Sequence, residues 1–273
     1  MMRTAINMDF YTGYLDIKKA AEYISKAGFT HLDYTPPLRD DNWESIMKEA
    51  KNVFDAYGLT VHQTHAPFNR YGKYGDRFKL CMDRCVEVTS YFYAEYIAVH
   101  GDEFDFENMT FSEDAALEYN YNLFKPYVEQ AEKSGYKLAF ETVFEDGFKN
   151  RRRYTSKADE LLGLIKAFDS KSAVCYWDFG HAHVSFKNAQ ADEVLKLGSL
   201  IECTHLHDNC GNDSHQMPMT GDIGWKAVMG SFGKIGYSGV MSVEYAHGTV
   251  PEIFVPDYLK LTYDITQHLC EMM

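Results

Sequence analysis

The chain has 273 residues, 45% hydrophobic and 25% charged, ordinary globular material that at this length allows one large domain or two small ones. It contains no run of about 18 uninterrupted apolar residues, which excludes a membrane-spanning helix, and its opening MMRTAINMDF has no apolar signal core, so a cytoplasmic protein is expected. Forty acidic against 27 basic side chains leave a net charge of −13, which argues against a nucleic-acid partner, since affinity for a phosphate backbone comes mainly from Lys and Arg.

Strand-like and helix-like patterns then alternate along the chain. The first strand is expected at Thr4–Phe10, followed by the helix DIKKAAEYISKAG, and the second at Thr30–Tyr34, followed by NWESIMKEAKNVFDAYG; both helices stop at a glycine. Strands at Thr60–His65 and Tyr96–His100 precede the long helix ALEYNYNLFKPYVEQAEKSG. Its apolar stripe reads Leu117, Tyr121, Phe124, Val128 and Ala131, with a kink at Pro126 and a stop at Gly135. The fifth strand, Lys137–Thr142, leads to a loop with Arg151, Arg152 and Arg153, then to SKADELLGLIKAF, capped by Ser156 with Asp159 three residues on. Strands at Ala173–Asp178, Ile201–His207 and Val240–Tyr245 complete the series. Strict alternation means parallel strands with helical crossovers, and the economical closed solution is a single (β/α)8 TIM barrel over residues 1–273. An open doubly wound sheet is the alternative, but the first turn, DFYTGYLD, lacks the glycine-rich phosphate loop that sheet usually carries. The six cysteines show no zinc-finger pairing and are read as reduced thiols.

Six segments share an ending: an apolar run, then a side chain able to bind a metal. They are TVHQTHAPF near His65, YIAVHGD at His100, KLAFET at Glu141, VCYWDFGHAH at Asp178 and His181, IECTHLHD at His205, and VMSVEY at Glu244. Burying such groups costs several kcal/mol, roughly, unless a metal or partner compensates. In a barrel these endings fall on the catalytic face. Taken singly, Glu141 or Glu244 reads equally well as half of a structural ion pair, and His65 or His100 more readily as a core histidine. Asp178 and His181, three apart across a turn, can face one cavity. His205 and His207 share one side of a strand, so at least one is read as a ligand. The polar loop DNCGNDSHQMPMTGDIGW adds Asp213 and His215 and is long enough to be functional or mobile. Such donors suit zinc, manganese, cobalt or magnesium, with imidazoles favouring transition metals. The arginine run offers bidentate contacts to a phosphate or carboxylate, although a solvated segment leading into the next helix is the simpler reading. Trp177 is read as core, and Trp225, in the polar loop, as a sugar-stacking candidate.

The segments THAPF, VHGDE, AFET, WDFGHAH, HLHDN, DSHQMPMTGDIGW and VEY resemble the xylose isomerase-like barrel superfamily, which also contains endonuclease IV. The likeness covers essentially the whole chain. Its most specific parts are the Asp-x-His loop and the turn after it, although MTGDIG departs from the family's glycine-glutamate-glycine form. The resemblance implies one divalent metal held by Glu141, Asp178, His205 and Glu244, the site shared with sugar epimerases. Endonuclease-type members add ligands at positions matching His65 and His100, and again at His181, Asp213 and His215, so two or three ions are within its reach. In the epimerases the residue matching His181 contacts substrate instead. Whether His205 or His207 is the ligand of HLHD stays open. Epimerases related to tagatose epimerase carry a Glu and an Arg where this chain has Gly147 and Gly211, so their details of sugar recognition do not carry over. The implied function is a metal-dependent isomerase or epimerase of a small sugar or sugar phosphate, in a monomer or homo-oligomer, with Glu141 and Glu244 as the catalytic proton-transfer pair. The alternative is an endonuclease IV-type phosphodiester hydrolase. A non-catalytic sensor barrel is a third reading, against which nine donor positions argue.

Overall fold

The computed structural model describes residues 2–12, 14–69, 75–105, 112–145, 151–245 and 250–273. Its strands are, in chain order, β1 (Thr4–Asn7), β2 (His31–Asp33), β3 (Thr60–His65), β4 (Tyr96–His100), β5 (Glu103–Asp105), β6 (Lys137–Glu141), β7 (Arg151–Arg153), β8 (Ala173–Asp178), β9 (Ile201–Leu206) and β10 (Met241–Val243). All except β5 and β7 pair in parallel and close into the expected barrel, with β1 joined to β10 from Thr4–Met241 to Ile6–Val243. No helix among the described residues is long and apolar enough to cross a membrane.

The helices are α1 (Asp9–Thr12), α2 (Ile17–Ala27), α3 (Trp43–Tyr57), α4 (Gly75–Phe92), α5 (Glu113–Ser134), α6 (Ala158–Phe168), α7 (Phe179–Phe186), α8 (Gln190–Leu197), α9 (Trp225–Lys234) and α10 (Val255–Glu271). β1 ends three residues earlier than expected because the Asn7 side chain accepts the Asp9 backbone N–H (2.8 Å), a local turn that begins α1. The buried stripe of α5 is Ala116, Asn120, Phe124, Tyr127, Val128 and Ala131, with Leu117 and Tyr121 only half-buried. Asn120 takes the central place because it donates to Ala116 O and accepts from Asp102 N, each at 2.8 Å. α6 starts one residue later than expected. Glu160 accepts the Lys157 backbone N–H (3.3 Å), while Ser156 donates to Glu145 (3.0 Å) instead of capping the helix.

The arginine run is not a solvated loop. It forms β7, which pairs antiparallel with β5 from Glu103–Arg153 to Asp105–Arg151. Arg152 is largely buried between Glu145, Glu160 and Ser156, so its charge is used in holding the ribbon. All six cysteines are free thiols, as expected.

Two-residue alternation decides what each barrel strand presents to the interior. Ile97, Val99, Leu138, Phe140, Cys175 and Trp177 pack outward in the main core, while Ala98, Ala139, Val174, Tyr176 and Cys203 fill the barrel centre. The next inward position after Ala98 is His100; after Ala139, Glu141; after Tyr176, Asp178; after Cys203, His205. Below the apolar layer, Lys137 pairs with Glu202 (2.6 Å), which also accepts the Tyr96 hydroxyl (3.0 Å). The donor side chains therefore gather at one end above a plug of largely apolar residues.

The outward layer should carry much of the stability. Phe140 is fully buried, edge-on to Phe124 (5.2 Å between centroids) and stacked on Phe168 (5.3 Å). Phe140→Ala should cost about 3–5 kcal/mol in urea unfolding; a loss below about 1 kcal/mol would contradict close packing there.

Candidate metal centre

Glu141, at the end of β6, is 1% exposed. Its Oε2 lies 3.3 Å from His65 Nε2 and 3.0 Å from His100 Nε2, and its Oε1 lies 3.4 Å from His181 Nδ1 and 3.5 Å from His205 Nδ1. Asp178 ends β8 and caps α7, accepting the His181 backbone N–H (2.6 Å). Glu244 follows β10 and accepts from Asn7 Nδ2 (3.3 Å). These three carboxylates converge on His205 Nδ1, which is 3.2 Å from Glu244, 3.5 Å from Glu141 and 3.8 Å from Asp178. That nitrogen is buried and has no hydrogen-bond partner.

Four imidazoles have one nitrogen held by a fixed acceptor, although in His181 and His215 that nitrogen also lies beside a cluster carboxylate, 3.4 Å from Glu141 and 3.6 Å from Glu244. His65 Nδ1 donates to Ala66 O (2.9 Å), His181 Nδ1 to Thr142 O (3.0 Å), and His215 Nδ1 to Glu244 O (3.2 Å). Because a carbonyl only accepts, each leaves Nε2 toward the carboxylates. His205 is reversed: its Nε2 meets Asp33 at 2.6 Å, leaving Nδ1 inward. Tautomers fixed from outside in this way are the usual support of metal-binding histidines. The donor atoms fall into overlapping groups, each within 4.8 Å: His65–His100–Glu141, Glu141–Asp178–His181, Asp178–His205–Glu244 and His181–His207–Asp213–His215. Oxygen and nitrogen donors of this kind, with an orphaned buried Nδ1 among them, fit a divalent ion.

All nine sequence-expected donors are thus brought together. His205 is the β9 residue that faces the carboxylate trio. His207 aims Nε2 at both Asp178 oxygens (3.0 and 3.2 Å) and stacks on His215 (3.9 Å). Gly180 makes room for it, since a Cβ there would come within 1.9 Å of the His207 ring. The long polar loop is anchored by Asp208, which accepts from Trp225 Nε1 (2.8 Å) and Ile223 N (3.2 Å) and pairs with Gln216. Trp225 is therefore buried at the start of α9 and stacked on Phe179 (5.3 Å), not offered to a sugar. His215 sits in the left-handed region (φ 44°), strain of a kind that collects at functional sites. Gly147 lies outside the described residues.

Sequence reasoning missed Asp33. Its Oδ2 meets His205 Nε2 and accepts from Gln63 and Asn7, both at 3.1 Å. The signal was present in HLDY, another apolar strand with a carboxylate near its end.

Electrostatics follows from crowding. Burial pushes Glu141 up, but His100, His181 and His205 outweigh it and hold the carboxyl well below its usual range. Glu244 is raised, because burial outweighs His205 and His215. Burial also opposes charge on His65 and His215. Glu141 overcomes it at His65, and Asp213 with Glu244 at His215, taking each to about 9, whereas burial prevails at His100 and lowers it to about 4.

Two cavities open at this mouth. One of about 500 Å³ lies over His65, His100, Glu141, His181, Asp213 and His215 and reaches Arg153, whose guanidinium covers Phe144 (4.7 Å). The other, about 860 Å³, extends toward β1 and β2; Arg39, His65, Phe68 and Glu244 line both.

A family profile described as xylose isomerase-like TIM barrel matches residues 21–260. The uncharacterized protein MJ1311 of Methanocaldococcus jannaschii is 32% identical over 130 residues, a match spanning 47% of this chain and 43% of that protein. Among solved structures, a D-tagatose 3-epimerase-like protein superimposes with a TM-score of 0.77 at 23% identity, over 99% of this chain and 98% of the other. A D-psicose 3-epimerase of Clostridium cellulolyticum H10 gives 0.75 at 15% identity, over 98% and 99%. At these identities the structural likeness establishes the fold.

Two expectations follow from the geometry. Asp33→Asn should weaken zinc binding about 10–100-fold in chelator competition, because His205 loses the acceptor that sets its tautomer; unchanged affinity would contradict that role. In metal-free protein, His65 and His215 stand at about 9 against an ordinary 6.5. Their stabilising contribution is complete below the lower value and is lost as pH rises through the higher one. The melting temperature of chelator-treated protein should therefore fall over that window, and saturating zinc should abolish the fall, because ligating imidazoles are neutral. An identical fall with zinc present would count against metal binding by these residues.

Proposed function

The chain belongs to the xylose isomerase-like TIM barrel family, and from this membership and its buried donor cluster we propose a metal-dependent isomerase or epimerase of a sugar or sugar phosphate. The observation that carries the reading is the convergence of Glu141, Asp178 and Glu244 on the unpartnered His205 Nδ1, beneath a cavity of about 500 Å³. That volume lies in the range of small-molecule sites. The structural neighbours, a D-tagatose 3-epimerase-like protein and a D-psicose 3-epimerase, support the class.

Glu141, Asp178, His205 and Glu244 would hold one divalent ion. The chemistry such an ion supplies is Lewis-acid polarisation of a carbonyl, which acidifies the neighbouring C–H. The rest falls to the chain. Glu141 and Glu244 reach the cavity from β6 and β10, which are separated in the barrel by β8 and β9. His100, His181 and His205 favour the anionic form of Glu141, suiting it to accept a proton, while burial favours the protonated form of Glu244, suiting it to donate one. Removal from one face of a carbon and return to the other inverts the centre; return to the adjacent carbon isomerises the sugar. Asp33, Gln63 and Asn7 hold His205 and Glu244 in place.

One observation favours a second reading. The His65–His100–Glu141 and His181–His207–Asp213–His215 groups exceed what one ion needs, and multinuclear clusters suit phosphodiester hydrolysis. Arg39 and Arg153 are the only arginine or lysine side chains among the described residues lining the two cavities, little for a polyanion.

Metal-loaded protein, incubated in D2O with a panel of ketoses and ketose phosphates, should place solvent deuterium at the inverted or transferred position. Glu141→Gln and Glu244→Gln should each lower the rate about 10²–10⁴-fold. Cleavage of an abasic duplex that weakens steeply with salt, without turnover of any sugar, would replace this reading with the hydrolase.

A further inference from the structure

Two guanidiniums border the metal-side cavity without belonging to the donor cluster: Arg39, between β2 and α3, and Arg153, on β7. Arg39 stands on an anchored segment. Arg84 Nη1 donates to the carbonyls on either side of it, Leu38 O (2.6 Å) and Asp40 O (3.3 Å), and the Asp40 N–H donates to Pro37 O (2.9 Å). The Arg84 guanidinium in turn lies over Trp43 (5.5 Å). The Arg39 side chain itself is exposed and has no hydrogen bond or ion pair among the described residues. It also borders the larger cavity, lined by Asp9, Asp16, Asp40, Glu49 and Glu244 with His65, and none of those carboxylates takes it. Arg153 is placed differently. Its guanidinium covers Phe144 (4.7 Å), Nη1 donates to Phe144 O (3.4 Å), and Nε lies 3.8 Å from Glu103, a long ion pair at the cavity edge.

The charges on the wall of the metal-side cavity sort into two sets. Glu141, Asp213 and Glu244 belong to the donor cluster, where imidazoles face them. Outside the cluster, the described lining holds Arg39, Arg153 and Glu103 alone, two positive charges against one negative. A sugar hydroxyl could accept from a guanidinium but would leave this surplus unmatched. A phosphate monoester brings about −1.5 to −2 near neutral pH, more than the surplus. A carboxylate brings one negative charge, and its two oxygens fit the planar fork of a guanidinium.

We propose that the substrate is a sugar acid, whose free carbonyl meets the donor cluster while a single carboxylate at its other end is held by Arg39, with Arg153 beside it at the cavity edge. Phe68, 4.4 Å from His100, and Phe144, 5.2 Å from His181, give the carbons between them apolar faces. The inference rests on the sugar reading of the metal centre and narrows it to one charged class, away from neutral and phosphorylated sugars. Arg39 selects the substrate and takes no part in the proton transfer.

Probes that all keep the C2 carbonyl and differ only at C6 test this on the full, zinc-loaded chain. They are the ketose, its 6-phosphate and its 6-carboxylate, each in the D-fructose, D-psicose, D-tagatose and D-sorbose series. Calorimetry reads affinity, and deuterium uptake from D2O reads turnover. In at least one series the 6-carboxylate should bind at least about tenfold more tightly than the other two, the scale of a charge-assisted hydrogen-bonded pair, and should exchange fastest. Arg39→Ala should erase that preference over the ketose, and Arg39→Lys, which keeps the charge but not the fork, should restore part of it. Arg153→Ala should lower the preference as well; should that variant fail to fold, the two substitutions at exposed Arg39 decide. A 6-carboxylate no tighter than its ketose in every series, a 6-phosphate as the tightest probe, or an Arg39→Ala variant that keeps the preference would overturn the inference while leaving the sugar reading intact. Absence of binding and exchange with every probe would overturn the sugar reading and this inference with it.

Discussion

Four imidazoles crowd the two oxygens of one buried carboxylate, Glu141. An anion at that depth is sustainable only with positive charge beside it. In the metal-free chain His65, His181 and His205, which the neighbouring carboxylates raise, supply that charge, and a divalent ion would supply it more compactly. The placement of Glu141 is itself a consequence of the barrel. Alternation along β6 sends Leu138 and Phe140 outward into the main core and leaves Ala139 and Glu141 facing in. The same rule, applied strand by strand, delivers His100, Asp178 and His205 to the same height.

Around that constraint the structure is rigid where chemistry needs direction. Asp33, Gln63 and Asn7 form a buried polar chain behind His205, and His205 Nε2 and the two amides all converge on Asp33 Oδ2. Backbone carbonyls of Ala66, Thr142 and Glu244 orient three further imidazoles. Even the long loop after β9 is fastened, with Asp208 bonded to Trp225 and bridged to Gln216. Its two donors, Asp213 and His215, are therefore carried on an anchored segment.

Much of this was legible in the sequence, and the failures have physical causes. A His, Asp or Glu that ends an apolar run breaks the expectation for a buried strand, so His65, His100, Glu141, Asp178, His205 and Glu244 stood out. Asp33 did not, because β2 is three residues long and Tyr34 resumes the apolar pattern. The direction of each ring was beyond pattern reading, since both point inward; in the structure Asp33 holds His205 Nε2, leaving Nδ1 toward Glu141, Asp178 and Glu244, and Gly180 leaves space for His207 beside Asp178. Trp225 looked available within a polar loop, but its indole N–H is taken by Asp208. The arginine run looked solvated because the partners of Arg152, Glu145 and Glu160, flank it from different segments. The stripe of α5 holds at Phe124, Val128 and Ala131, but its first turns lie one position earlier than read, at Ala116 and Asn120, because Asn120, a polar residue, is buried for its hydrogen bonds.

The donor cluster would be tested most directly by anomalous diffraction from a crystal grown with zinc, recorded across the zinc edge. The expected result is a peak bounded by His205 Nδ1 and carboxylate oxygens of Glu141, Asp178 and Glu244, each about 2.0–2.2 Å from the ion. A barrel mouth without such a peak at saturating zinc, with His205 Nδ1 still 3.2 Å from Glu244, would contradict it.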